Sequence, residues 1–111
     1  MTGTHPIVEA YVANINAGDH AGLLANFSAE AVLHHPAGTF TGEELGAFYR
    51  DVVFAGQAVL TAGTVLVDGP IVMAEIAATS PLDPDGAALH ALDVFRLTPD
   101  GRIAALDIYY R

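Results

Sequence analysis

Three polar side chains sit where an apolar setting makes them expensive: Tyr11, His35 and Asp93. Asp93 interrupts Ala87-Ala88-Leu89-His90-Ala91-Leu92-Asp93-Val94-Phe95, a segment that is otherwise almost unbroken hydrocarbon. An unpaired carboxylate in such a place costs on the order of several kcal/mol, so it must be neutralised, paired or used. A phenol and a protonated carboxyl facing one apolar cavity could hold the negative oxygen of an enolate. A histidine beside them could move the proton, because imidazole changes charge near neutral pH. That is the chemistry of proton transfer next to a carbonyl.

Each residue also has a plainer reading. Tyr11 could pack on its helix with the hydroxyl at the rim. Asp93 could pair with an arginine or a backbone group of a neighbouring strand. His35, followed by Pro36, could be a turn residue. Glu75, midway along Val72-Met73-Ala74-Glu75-Ile76, is an alternative acid or base if its face turns inward.

These side chains need elements to hold them. Pro6 suits the first turn of a helix, with Thr4 or His5 as its cap. Ile7, Val8, Tyr11, Val12 and Ile15 then recur on one face. Gly18 ends this helix, and Asp19 caps a short second one carrying Leu23, Leu24 and Phe27. Ala31–His35 reads as a strand stopped by Pro36 and Gly38. Thr41-Gly42-Glu43-Glu44 has the form of a capping box and opens a third helix through about Phe54.

The remainder reads as strands: Val59–Val67, Ile71–Thr79, Ala87–Leu97 and Ile103–Tyr110. Asp68-Gly69, Asp85-Gly86 and Asp100-Gly101 separate them, and Asp-Gly between apolar runs is a hairpin signal. The expected fold is α+β: three N-terminal helices packed on a curved, mostly antiparallel sheet, as a single domain over 1–111. A small-molecule pocket belongs between the two layers.

Composition narrows the ligand. The chain has a net charge of −9, with four arginines and no lysine. Nucleic acid and anionic membranes both call for basic groups, so neither is an expected partner. At 52% hydrophobic and 15% charged residues the chain should fold around a core. It carries no apolar run of the roughly 20 residues that span a bilayer. Its first residues lack the basic-then-apolar pattern of a signal peptide, and cytoplasmic localisation is the expectation. Without cysteine there is no thiolate metal site, and His34 and His35 are adjacent and would diverge on a strand; no metal or cofactor is expected. A small, neutral, hydrophobic ligand fits better.

Four segments resemble the nuclear transport factor 2-like (NTF2-like, SnoaL-like) superfamily, and in it the ketosteroid (steroid delta-) isomerase branch. Tyr11-Val12-Ala13-Asn14-Ile15-Asn16-Ala17-Gly18-Asp19 is similar to the branch's Tyr-x-Ala-x-x-Asn-Ala-Gly-Asp segment. Ala31–Gly38 is similar to the strand that ends in the general base, and Ala47-Phe48-Tyr49-Arg50 to a segment of the third helix. Leu92-Asp93-Val94-Phe95-Arg96 is similar to the strand bearing the oxyanion-hole aspartate. The resemblance implies a cone-shaped fold with Tyr11 and Asp93 as oxyanion donors and Tyr49 bonded to Tyr11. His35 falls where the branch has its aspartate base. That such an aspartate can stay protonated is an established example from this very family rather than a deduction from this chain.

The resemblance thus implies a steroid delta-isomerase-like enzyme acting on a steroid or polyketide-like ligand. Its alternatives are a polyketide cyclase or dehydratase, and a ligand-binding protein without turnover. With the enolate chemistry, the resemblance makes a small hydrophobic carbonyl or phenolic compound the expected partner. Limonene-type epoxide hydrolysis is disfavoured, because Ala91 stands where an arginine would be needed and Arg96 falls on the other face. Leu33, Phe48, Tyr49, Phe95, Leu106, Ile108 and Tyr110 are the expected pocket lining, the last three by strand alternation. The opposite sheet face, with Leu92, Val94, Ile103 and Tyr109, is also apolar and points to a homodimer.

Overall fold

The computed structural model describes residues 4–111; the expectation about a leader bears on Met1–Gly3, which lie outside the described residues. Helix α1 (Pro6–Asn16) begins as its sequence dictates, with proline in the first turn and His5 Nδ1 accepting the Ile7 N–H at 3.1 Å. It buries Ile7, Val8, Tyr11 and Ile15. Gly18 (φ 70°) ends it, and Asp19 caps α2 (His20–Leu24) by accepting the Gly22 N–H at 2.9 Å.

Strand β1 runs Phe27–His35, four residues longer than expected. As expected, β1 ends at His35, just before Pro36, but Gly38 starts a further strand. The chain turns over Pro36-Ala37 and returns as β2 (Gly38–Thr41), with His35 opposite Gly38. Thr41 therefore belongs to a strand, opposite Val32, and the expected capping box does not form: its side chain makes no capping bond, and Gly42 takes φ 54°. Helix α3 (Gly42–Phe48) then loosens into a π-helical segment, Tyr49–Phe54, where a single α-helix was expected.

Strands β3 (Val59–Asp68), β4 (Ile71–Thr79), β5 (Leu89–Leu97) and β6 (Ile103–Tyr110) complete a six-stranded sheet in the order β2-β1-β6-β5-β4-β3. All neighbouring pairs are antiparallel except β1 and β6, which are parallel. Asp68 pairs with Ile71, so the β3–β4 turn is Gly69-Pro70, with Gly69 at φ 56°. Asp85-Gly86 does not make a hairpin. It lies in the long Ser80–Ala88 connection, which Ser80 anchors by donating to the Gly56 carbonyl at 2.5 Å.

This is the α+β cone, with α1 against β3 and α3 against β1 and β2 on one side of the sheet. Leu23, Leu33, Phe95, Ile103 and Leu106 are wholly buried between the layers. Ile103 was expected on the outer face. A register shift between Arg96 and Leu97 puts it inside instead, opposite Phe27. Val94, also expected there, is buried as well. Leu66, Met73, Leu92 and Tyr109 remain exposed. Among the described residues no helix is long and apolar enough to cross a membrane.

Candidate active site

Between the sheet, α1 and the π-helical segment lies a cavity of about 330 Å³. That is at the small end of ligand-binding pockets. Tyr11, His35 and Asp93 all line it, as do Phe48, Tyr49, Ile108 and Tyr110. Leu33, Phe95 and Leu106 do not reach its wall. Strand parity puts them on the inner face, but they lie deeper, in the hydrophobic core. Ile15, Leu60 and Ile76 line the wall instead, and Ser80 and Asp83 contribute from the long connection. Ile15 was within reach of sequence reasoning, one helical turn after Tyr11 on the same face. Nothing in the pattern signalled Ser80 or Asp83.

Tyr11 is only 3% exposed, and its Oη lies 2.8 Å from the Tyr49 Oη. Its ring meets Phe95 edge-on at 5.3 Å. Two phenols in contact share one hydrogen, so one hydroxyl hydrogen stays free. If wholly buried Tyr49 donates, the free proton is that of Tyr11, on the cavity wall. Burial raises the Tyr11 pKa well above its usual range, and the charges on Tyr49 and Asp93 would raise it further. Tyr11 therefore stays a neutral donor at every physiological pH.

Asp93, opposite Ala74 on β4 and Ile108 on β6, is likewise 3% exposed. Its Oδ1 is buried without a hydrogen-bond partner. The pairing with an arginine does not occur: Arg96 points to the other face and meets Asp107 at 3.5 Å. Desolvation alone lifts the Asp93 carboxyl from its ordinary value to about 7. Burial thus favours the protonated form, which can donate, well above the usual carboxylate range.

His35 differs from a free base. Its Nδ1 accepts the Ala37 N–H at 3.0 Å, and its Nε2 lies 2.5 Å from the Tyr110 Oη. Both ring nitrogens are engaged, and partial burial lowers its pKa below the usual 6.5. It is both the turn residue of the plainer reading and a cavity residue. His34 points outward, 3.9 Å from Asp107. Glu75 is exposed on the outer face, accepting the Thr64 N–H, and is not available to the cavity.

Fold and cavity together define a small α+β protein with a largely apolar, donor-bearing pocket. The chain belongs to the SnoaL-like domain family, whose model matches residues 8–106. Among curated proteins none is significantly similar in sequence. Solved structures share its fold. A proposed polyketide cyclase of Sinorhizobium meliloti is 23% identical, with a TM-score of 0.83 over 95% of this chain and 94% of that one. SalBIII, an epoxide hydrolase/cyclase-like enzyme of pyran ring formation in the polyether salinomycin, is 27% identical, with a TM-score of 0.79 over 95% and 88%. RV0760c of Mycobacterium tuberculosis, solved with estradiol-17beta-hemisuccinate, is 17% identical, with a TM-score of 0.80 over 95% and 89%.

Proposed function

We propose that this chain, as one domain, binds a small hydrophobic carbonyl or phenolic compound and stabilises negative charge on its oxygen. Turnover of a carbonyl compound further requires His35 to release a hydrogen bond and take the proton from the neighbouring carbon. Tyr11, braced by Tyr49, and protonated Asp93 are the donors to the ligand's oxygen. The observation that carries this reading is the orphaned Asp93 oxygen in a cavity already lined by a braced phenol. Few buried polar groups go without a partner, so this one marks a candidate site. The steroid bound by RV0760c, which shares the fold, is the kind of guest such a cavity suits.

Fluorescence titration with equilenin, a phenolic steroid, tests the reading. Saturable binding is expected, weakened about a hundredfold in Asp93→Leu, which removes the donor and keeps the bulk. Undiminished binding in that variant would sink it. Turnover is tested with a Δ5-3-ketosteroid. An inert parent and an active His35→Asp protein would mark a retuned isomerase, and two inert proteins that bind equally would mark a binding protein.

A cyclase or dehydratase reading has one observation in its favour. With both His35 nitrogens engaged, Asp93 is the cavity group whose proton comes and goes near pH 7. The exposed Leu66, Met73, Leu92 and Tyr109 support a homodimer through the outer sheet face. Sedimentation of a single chain at micromolar concentration would refute that part.

A further inference from the structure

The flank of the cavity holds a second, separate hydrogen-bonded pair. His35 closes β1, and Tyr110 is the last residue of β6. The Ala37 N–H can only donate, so His35 Nδ1 must accept, and the neutral ring carries its hydrogen on Nε2. Nε2–H therefore donates to the Tyr110 Oη, 2.5 Å away. A phenol that accepts in this way keeps its own hydrogen for another partner. Among the described residues the only side-chain hydrogen bond of Tyr110 is the one to His35. Aromatic packing fixes the imidazole, with Phe48 at 4.7 Å and Tyr110 edge-on at 5.0 Å.

We propose that Tyr110 is a ligand-contacting residue of this site, a third hydrogen-bond donor beside Tyr11 and Asp93, and that His35 is its positioning residue. The inference rests on the functional reading above and gives the histidine a different task from that of a free base. It also explains how histidine can stand at this strand end. The turn amide of Ala37 sets the tautomer, and the tautomer sets the direction of the phenol.

A pH signature follows. Protonating His35 puts a hydrogen on Nδ1, facing the Ala37 N–H; two donors oppose, the ring must move, and Tyr110 is released. The ring packs on Phe48 from α3 and Tyr110 from β6; Tyr49 and Asp93 share the cavity with it, and His34 and Asp107 line a neighbouring pocket on its other side. The Asp107 carboxylate there is met by Arg96 at 3.5 Å and by His34 at 3.9 Å. Burial already favours the neutral ring, so binding is expected to fall only as the pH drops below 6.5. The Asp93 limb lies on the other side: its donor form is lost as pH rises through about 7.

Equilenin titrations of the full chain from about pH 5 to 8 test the proposal. At neutral pH, Tyr110→Phe and His35→Asn are each expected to weaken binding about tenfold, and the double variant no further. Asparagine can still accept from Ala37 but does not reach Tyr110. His35→Gln reaches Tyr110 with an amide N–H that does not titrate, so it should bind almost as the parent does while lacking the acid limb. Unchanged affinity in Tyr110→Phe, or losses that multiply in the double variant, would overturn the proposal. A Tyr11→Phe control separates the two readings. If Tyr11→Phe binds normally and Tyr110→Phe does not, the deep donor pair fails while this inference stands; the converse overturns this inference alone. Thermal unfolding of each variant shows that it is folded.

Discussion

At pH 8 the Asp93→Asn protein is expected to be more stable than its parent by as much as about 4 kcal/mol, and near pH 4 the two should be alike. The Asp93 carboxyl titrates at about 7 in the folded chain, against an ordinary value of 3.8. Between those values the folded state holds a proton that the unfolded state has released. Parent stability therefore falls as pH rises from about 4 to about 7 and stays low above that. Three pKa units at about 1.4 kcal/mol each set the upper bound. Asparagine has the same size and no charge, so it escapes the loss at high pH and offers nothing at low pH. Urea unfolding of both proteins at the two pH values checks this. Equal stability at pH 8 would mean that the carboxylate is better solvated than its burial implies.

The second large effect belongs to Tyr11. Tyr11→Phe should weaken phenolate binding, and slow any enolate-forming step, by about 10²–10³, while costing about 1–3 kcal/mol of stability because buried Tyr49 loses its partner. The asymmetry arises because the hydroxyl hydrogen bonds weakly to a neutral neighbour but strongly to a charged oxygen. Tyr49→Phe removes the brace rather than the donor, and the expected loss is about tenfold. Equilenin titration and thermal unfolding of both variants separate donor from brace. A larger effect for Tyr49→Phe than for Tyr11→Phe would reverse their roles.

The inner face of α1 and the cost of Asp93 were both legible in the sequence, because each depends on neighbours close along the chain. Ile7, Val8, Tyr11 and Ile15 recur at the helical period, and a lone carboxyl amid Ala91, Leu92, Val94 and Phe95 is conspicuous without any tertiary knowledge. The Tyr11–Tyr49 contact was legible only through family resemblance, since 38 residues separate the pair. What escaped was non-local or a matter of depth. The parallel pairing of β1 with β6 joins distant segments, and alternation cannot say whether Leu106 or Ile108 reaches the cavity. Asp85-Gly86 promised a hairpin because its local backbone, with Gly86 at φ 63°, is the one such turns use, yet the flanking strands end too early to meet there. For His35, the residue type suggested a base, but one backbone amide in the Pro36-Ala37 turn fixes which nitrogen carries the hydrogen. No spacing rule reports that.

The central claim is that Tyr11 and a protonated Asp93 meet the same guest oxygen. The most direct measurement is carbon-13 NMR of the Asp93 carboxyl, followed against pH in the free chain and in the chain saturated with equilenin. The free carboxyl should titrate near 7, and the bound one higher still, because the anionic guest is held by the proton it would lose. A carboxyl that titrates near 4 in both states, or whose midpoint ignores the guest, would contradict the account.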